Sequence, residues 1–275
     1  MDTRELKKAA ADVRMGVIKA LHNAGSGHPG GSLSASDIVT ALYFDEMNID
    51  PKNPGLKGRD KCVFSKGHAG PAQLSAMALR GYFSMDEFTE TLRKIGSRFQ
   101  GHPNMKIPGI EMATGSLGQG FSAAAGMAMA NKLDNDPGRI YAVLGDGELQ
   151  EGLIWEAAMS SSHYGLDNLV AIVDHNGLQI DGRNDDVMKV SPVGAKFSGF
   201  GWNVIEIDGH DMDQIKDAFA KARQCKGRPT VIVAETVKGK GVSFMEDQAG
   251  WHGKAPNDEQ TQQALEELEA AKAAL

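Results

Sequence analysis

Residues 139–182 have the sequence RIYAVLGDGELQEGLIWEAAMSSSHYGLDNLVAIVDHNGLQIDG, and this stretch decides the fold. Residues 140–144 and 169–174 are short apolar runs, typical of strands that are buried on both faces. Residues 148–164 lie between them and have the length and composition of a helix. A strand, a helix and a second strand in this order predict a right-handed crossover between two parallel strands.

The same alternation continues on both sides of this unit. Further strands are predicted at residues 61–65, 202–207 and 230–237. Helices are predicted at residues 3–24, 36–47, 121–130 and 213–224, and the tail at 257–275, rich in Glu, Gln and Ala, is predicted to be a terminal helix. The predicted fold is therefore α/β, with a parallel sheet covered by helices on both faces.

Polar side chains follow two of the predicted strands. Gly145-Asp146-Gly147 stands at a strand end, where open parallel sheets bind ligands, and the amides that follow can receive an anion. Asn176 follows the next strand, so its amide oxygen, the Asp146 carboxylate and a nearby backbone carbonyl can converge on one ion. Such oxygen ligands, completed by phosphate oxygens, favour Mg²⁺. A lone Gly-Asp-Gly is more often a simple turn, and the paired asparagine is what favours a metal site.

Four of the eight histidines stand next to glycine in polar turns: His28, His68, His102 and His252. Such turns offer little apolar surface, so these imidazoles are not there to fill a core. Each one alone could be a surface turn residue, but four together favour a functional role. The other histidines are assigned structural or surface roles: His22, His163, His175 and His210.

The composition argues against several classes of protein. The net charge of −7, with acidic and basic residues mixed along the chain of 275 residues, leaves no basic stripe for nucleic acid. The N-terminus is polar, and no apolar run reaches the roughly 20 residues needed to cross a bilayer. No membrane association is therefore expected. Cys62 and Cys225 have no disulfide or zinc-ligand spacing, which fits a reducing cytoplasm.

Several motifs together resemble one enzyme family. GDGELQEG (145–152) followed by VDHNGLQIDG (173–182) is similar to the thiamine-diphosphate signature of the transketolase superfamily. The remaining motifs resemble transketolase in particular: GSGHPGG (25–31), FSKGHAGPA (64–72), GHPN (101–104), TGSLGQG (114–120) and WHG (251–253). The resemblance extends from about residue 4 to about residue 258. It implies that residues 1–275 form a single thiamine-diphosphate-binding domain of the pyrophosphate-binding (PP) type.

The resemblance also implies roles for individual residues. Asp146 and Asn176 would hold Mg²⁺, or Ca²⁺ or Mn²⁺, by their side chains, and Leu178 by its backbone carbonyl. Besides Asp146 and Asn176, the residues implied to bind the cofactor are His68, Gly115, Leu117, Gly145, Gly147, Glu148 and Glu151. His28, His68, His102 and His252 would line the channel to the thiazolium ring, contact substrate hydroxyls and assist proton transfer, for which imidazole is suited near pH 7.

Two positions do not follow the family pattern in a simple way, Ser116 and Glu151. The family often has proline where Ser116 stands. Glu151 matches a glutamate that family members use at the dimer contact, but a solvated charge on a helix is an equally simple interpretation of it.

The resemblance stops after the first of the three transketolase domains. The aminopyrimidine-binding domain, with the acid–base glutamate that thiamine chemistry requires, is not covered. A C-terminal partner subunit is therefore implied, with activity only in its presence. The implied reaction transfers a two-carbon ketol unit from a ketose phosphate to an aldose phosphate.

The expected assembly contains two copies of each chain, because the small-residue helix after Gly118 is apolar enough to need burial in self-association. We expect a natural two-subunit enzyme, since the sequence starts at Met1 and ends in a predicted helix. Three alternatives remain: a subunit similar to 1-deoxyxylulose-5-phosphate synthase, a 2-oxoacid dehydrogenase subunit, and a non-catalytic cofactor-binding module.

Overall fold

The computed structural model describes residues 1–275, and none of its helices combines the length and apolar character needed to cross a bilayer. In chain order the strands are β1 (Lys61–Phe64), β2 (Ile140–Gly145), β3 (Leu169–His175), β4 (Leu178–Gln179), β5 (Gly182–Arg183), β6 (Asn203–Asp208) and β7 (Thr230–Glu235). Five of them form one parallel sheet in the spatial order β1-β2-β3-β7-β6, and β4 and β5 form a separate antiparallel pair.

Eleven α-helices surround this sheet. They are α1 (Thr3–Ala24), α2 (Pro29–Ser34), α3 (Ser36–Ala41), α4 (Gly70–Arg80), α5 (Met85–Thr91), α6 (Gln119–Leu133), α7 (Gly152–His163), α8 (Asn184–Val187), α9 (Val193–Gly199), α10 (Met212–Gln224) and α11 (Asp258–Ala273). The bounds of α1 follow from its sequence. The Asp2 side chain accepts a hydrogen bond from the Glu5 amide at the start of the helix, and Gly25 ends it with a φ of +63°.

The apolar side chains form two cores, one on each face of the sheet. Along β3, Val170 and Ile172 belong to the larger core, whereas Ala171 and Val173 belong to the smaller one, as the alternation of a strand requires. The larger core includes side chains of α1, α3, α4, α10 and α11, and the smaller core those of α6, α7 and α9. The prediction of a parallel sheet with helices on both faces is therefore confirmed.

Several element boundaries differ from the prediction. The helix predicted at 36–47 consists of α3 and a π-helical turn, Leu42–Glu46. The start of the helix predicted at 148–164 is wrong, because Gly147–Gln150 is a 3₁₀ turn and the backbone is extended at Glu151 before α7 begins. Helices α2, α4, α5, α8 and α9 were not predicted, and all of them except α4 have seven residues or fewer.

The carboxyl ends of four neighbouring strands meet at one edge of the sheet. Ser65 to His68 follow β1, Asp146 follows β2, Asn176 follows β3, and Lys238 lies shortly after β7. Because the strands are parallel, these turns lie close together at the carboxyl edge of the sheet.

Candidate functional site

Asp146 is a buried carboxylate without a cationic partner. Only 2% of the residue is exposed, its Oδ1 accepts a hydrogen bond from the Gly147 amide (2.7 Å), and its Oδ2 accepts one from the Gly177 amide (2.5 Å). Burial, and next the negative charge of Asp174, raise the pKa of Asp146, although the two amide donors act in the opposite direction. Asp146 forms no ion pair, although the charge of Lys238 in the same cavity acts on it, and a buried carboxylate of this kind is well suited to a metal ion.

Asn176 and Leu178 line the same cavity as Asp146, and its volume is about 240 Å³. Asn176 Oδ1 accepts a hydrogen bond from the Leu178 amide (3.1 Å), which orients the side chain. No three His, Cys, Asp or Glu side chains are grouped as a metal cage anywhere in the chain. This donor set fits an ion such as Mg²⁺ that takes one or two carboxylate or amide ligands and completes its shell with phosphate oxygens.

Glu148 has a structural position at the rim of this cavity. It is 2% exposed, and its carboxylate accepts hydrogen bonds from the Gly118 amide (2.9 Å), the Gly145 amide (3.0 Å) and the Ser65 hydroxyl. Burial raises the pKa of Glu148. Because all of these donors come from the chain itself, Glu148 joins the turns after β1 and β2 to the start of α6. A direct contact of Glu148 with a cofactor stays a prediction.

Leu117 and Glu151 line the same cavity, and Gly115 lies beside the His102 ring. Gly115 has a φ of +146°, and a β-carbon there would lie 2.9 Å from His102 Cδ2, so the close approach of this turn to the histidine requires glycine. Leu117 and Glu151 line the cavity, and Glu151 is exposed. Both interpretations of Glu151 therefore stay open.

The four histidines predicted to act together do form one cluster, His28, His68, His102 and His252. The ring centroid of His28 lies 5.4 Å from those of His68 and His252, and 6.0 Å from that of His102. His68 and His252 are 5.1 Å apart, and both line the cavity that contains Asp146. The structure thus joins the histidine cluster to the predicted metal site.

The histidine cluster is held in the neutral state. Burial is the largest cause of a lowered pKa at all four rings, and neighbouring cations add to it. The pKa falls to about 4 at His28 and to about 3 at His252. A neutral imidazole carries one N–H donor and one acceptor nitrogen, so each ring can donate a hydrogen bond to a hydroxyl group or accept one from it.

Comparison with known proteins identifies the family. Residues 6–272 match the family described as "Transketolase, thiamine diphosphate binding domain". This chain belongs to the transketolase family. It is 45% identical, over 266 residues and 96% of both chains, to the 6-deoxy-6-sulfo-D-fructose transketolase subunit of Clostridium sp. (strain MSTE9). It is 41% identical to one subunit of the apulose-4-phosphate transketolase of Phocaeicola vulgatus, covering 98% of this chain and 95% of that protein.

A solved transketolase has the same fold. The structure of transketolase from Campylobacter jejuni superposes with a TM-score of 0.93 and 32% sequence identity. The match covers 100% of this chain and 46% of that one, so the chain spans less than half of that transketolase. Two predictions are therefore confirmed. The chain contains a thiamine-diphosphate-binding domain, and it is a transferase subunit of the transketolase type.

Two buried lysines of this transketolase-family site were not predicted. Lys66, 1% exposed, donates to the Gly31 carbonyl (3.1 Å) and pairs with the buried carboxylate of Asp174. Lys238 Nζ lies 3.0 Å from His252 Nδ1 and 3.3 Å from the Leu178 carbonyl, and burial, with Lys66 next, lowers its pKa to about 8. Their positions just after β1 and β7, at the carboxyl edge of the sheet, were the signal that could have identified them.

The remaining histidines lie outside the cluster. His210 Nδ1 lies 2.7 Å from Asp37 Oδ2, and its Nε2 accepts a hydrogen bond from the Val237 amide. His175 pairs with Glu235, and His22 Nδ1 lies 3.2 Å from the Pro256 carbonyl oxygen. His163 is exposed and packs edge-on against Tyr164. These contacts fit the structural and surface positions expected for the four residues.

Proposed function

We propose that this chain is the diphosphate-binding subunit of a two-chain transketolase, which transfers a two-carbon ketol unit from a ketose phosphate to an aldose phosphate. The observation that carries the proposal is the continuity of the site. Asp146 and two members of the histidine cluster, His68 and His252, line one cavity, so a single ligand can place its diphosphate at Asp146 and its reactive ring at the histidines.

Asp146, Asn176 and the Leu178 carbonyl would hold Mg²⁺, or alternatively Ca²⁺ or Mn²⁺, against the diphosphate. Gly145 and Gly147 line the cavity without a side chain, and Glu148 and Gln150 line it as well, so the start of the Gly147–Gln150 turn is the proposed contact for the anion. Two lysines line the cavity, Lys66 and Lys238, and Lys66 is paired with Asp174. Lys238 is therefore the one placed to offset phosphate charge. His68 and Leu117 line the part of the cavity proposed for the organic rings, and Gly115, which lies next to His102, is proposed to face the same rings.

Thiamine diphosphate, when bound, supplies the carbon nucleophile and the electron sink of its thiazolium ring. The chain contributes the polar surroundings of that ring. The neutral imidazoles of His28, His68, His102 and His252 would bind the substrate hydroxyl groups and hold or pass on their protons. Each of the four rings is partly buried, which strengthens these hydrogen bonds relative to those of a fully exposed side chain.

The proposed partner is a C-terminal transketolase subunit that carries the pyrimidine-binding domain and the acid–base glutamate. Two of the similar proteins are named as transketolase subunits, which supports division of the enzyme between two chains. Apolar side chains are exposed on the cavity side of the molecule, with Ile180 at 65% and Met188 at 62%. A partner that completes the site would cover such a surface.

Self-association through α6 and α7 is the second proposed contact. Ser122, Gly126 and Ala130 form an exposed face of small residues on α6. On the adjacent α7, Met159 is 57% exposed and Leu153 is 37% exposed. A symmetric contact between two such faces, with one partner chain on each, gives the proposed assembly of two plus two.

The proposed substrates are sugar phosphates, and the proposed location is the cytoplasm, in keeping with two free cysteines. The test is a coupled ketol-transfer assay on the purified chain, with and without the candidate partner. We expect turnover that depends on Mg²⁺ and thiamine diphosphate only when both chains are present. His102→Ala, in the same assay, should lower turnover while leaving the melting temperature nearly unchanged.

A further inference from the structure

Arg93 occupies an unusual backbone conformation beside the histidine cluster. It follows α5 and has a φ of +60°, a left-handed conformation that long side chains rarely adopt. The other two non-glycine residues with positive φ are Asn135 and Asp247, residue types that tolerate it better. Strained backbone of this kind persists where surrounding contacts require it, and it is frequent at functional sites.

The guanidinium of Arg93 contacts two turns that carry histidines. Its Nη1 donates a hydrogen bond to Oγ of Ser26 (3.1 Å), which lies two residues before His28. On its other side it lies against Gly101, the residue before His102, where an added β-carbon would be 2.8 Å from Arg93 Nε. Gly101 has a φ of +87°, so glycine is required there both by the backbone and by the arginine.

We propose that Arg93 is a positioning residue of the active site, whose guanidinium joins the turn that carries His102 to the turn that carries His28. The inference rests on the proposed function, in which both imidazoles contact substrate. The Arg93 amide also donates to the Phe99 carbonyl (2.7 Å), so its backbone closes the loop that presents His102.

The charge of Arg93 gives this link a second effect. The side chain forms one hydrogen bond, to a neutral hydroxyl, and its Nε is buried without a partner, so its charge is not cancelled locally. After burial, Arg93 is the next cause of the lowered pKa of His102, and it also lowers the pKa of His28. The charged or titratable groups that act on these two rings are Arg93, Lys238, His68, His252 and each other.

Histidine titrations by NMR in the isolated chain test the electrostatic part. In Arg93→Met, the titration midpoints of His102 and His28 should rise by about half a pH unit or more. Arg93→Lys keeps the charge, so its midpoints should stay close to those of the wild type. The matched control is Arg98→Met in the same loop, because Arg98 pairs with the surface residue Glu87 and should leave both midpoints unchanged.

Kinetics of the assembled enzyme test the positioning part. Arg93→Met should lower kcat/KM about tenfold and move the acid limb of its pH profile upward. Arg93→Lys should leave the acid limb at its wild-type pH but lower turnover. An ammonium group cannot contact Ser26 and Gly101 at the same time, as the planar guanidinium does. Ser26→Ala should cause a smaller loss of turnover in the same direction, and it leaves Arg93 itself intact if the Arg93 variants fold poorly.

Two results would overturn the proposal. One is a lowered melting temperature in Arg93→Met with unmoved histidine midpoints and an unmoved acid limb, which would make Arg93 a stabiliser of the turn only. The other is wild-type turnover in both Arg93→Lys and Ser26→Ala. If the wild-type chains together transfer no ketol unit, the proposed function fails, but the NMR titrations still decide whether Arg93 acts on the two histidines.

Discussion

The Oδ2 atom of Asp146 lies 2.5 Å from the backbone nitrogen of Gly177, the residue directly after Asn176. This hydrogen bond joins the turn after β2 to the turn after β3, and it fixes the two proposed metal ligands relative to each other. Because the donor is a backbone amide and not an ammonium group, the carboxylate is oriented without being neutralised. The geometry is therefore set before any ion binds.

We expect Asp146→Ala to remove Mg²⁺-dependent binding of thiamine diphosphate, because the proposed site has a single carboxylate. The affinity should fall by about 100-fold or more, measured by calorimetry with the partner chain present. Asp185→Ala is the matched control, since Asp185 forms only an exposed ion pair with Lys189. Unchanged affinity in Asp146→Ala would show that the metal lies elsewhere.

Asp174→Ala should strongly destabilise the fold. Burial alone would raise the pKa of Asp174, but the charge of Lys66 and the hydroxyls of Ser34 and Thr236 outweigh burial, and the pKa is lowered. Removing the carboxylate leaves the Lys66 ammonium buried without its counter-charge, which costs about 3–5 kcal/mol. Urea unfolding measures the loss. Lys66→Met combined with Asp174→Leu should recover part of it, and no recovery would contradict this explanation.

The low pKa values of His28 and His252 predict that the chain loses stability in acid. Below the unfolded pKa of about 6.5, the unfolded chain binds protons that the native imidazoles do not take up until about pH 4 and about pH 3. The free energy of unfolding should therefore decrease as the pH falls from about 6.5 toward 4. The slope of the unfolding free energy against pH measures how many more protons the unfolded chain binds. His28→Gln should lower this number by up to about one, whereas His163→Gln, at an exposed histidine, should leave it unchanged. Equal slopes for all three proteins in urea titrations would contradict the assignment.

The fold and much of the site could be predicted because the motifs lie at strand ends. Asp146 and Asn176 are recognisable from glycine turns after apolar runs, and the histidines from their polar turns. Lys66 and Lys238 were missed because only their burial distinguishes them from surface lysines. Their burial depends on the positions of β1 and β7 in the sheet, which the sequence pattern does not give. The 3₁₀ turn at Gly147–Gln150 was missed for a similar reason, since Glu148 folds back to the Gly145 amide.

Gly126→Glu should convert a self-associated chain into a monomer without unfolding it. Gly126 is exposed on α6, and an added β-carbon there meets no atom within 4 Å, so the chain itself tolerates a side chain. In the proposed contact, the new carboxylates of two copies would be buried near each other. Light scattering after size-exclusion chromatography measures the change. Gly199→Glu, at an exposed glycine of α9 with equal space, is the control.

The isolated chain should lack ketol transferase activity and gain it when the partner is added. It would offer the proposed diphosphate and metal contacts of Asp146 and Asn176 together with the histidine cluster, whereas the proposed acid–base glutamate would come from the partner. Cofactor binding to the isolated chain should therefore be weak, and it should tighten when the pyrimidine-binding surface arrives. Calorimetry on the chain, with and without the partner, measures this step separately from turnover.

The coupled ketol-transfer assay then tests whether turnover requires both chains. Turnover should require both, and it should disappear when Asp146→Ala replaces the wild-type chain while the two chains still associate. A partner with its acid–base glutamate changed to glutamine should bind equally well and remain inactive, which separates assembly from chemistry. Robust turnover by this chain alone, in a preparation free of other transketolases, would overturn the two-chain proposal, because the proton transfer assigned to the partner would then have to come from a side chain of this subunit.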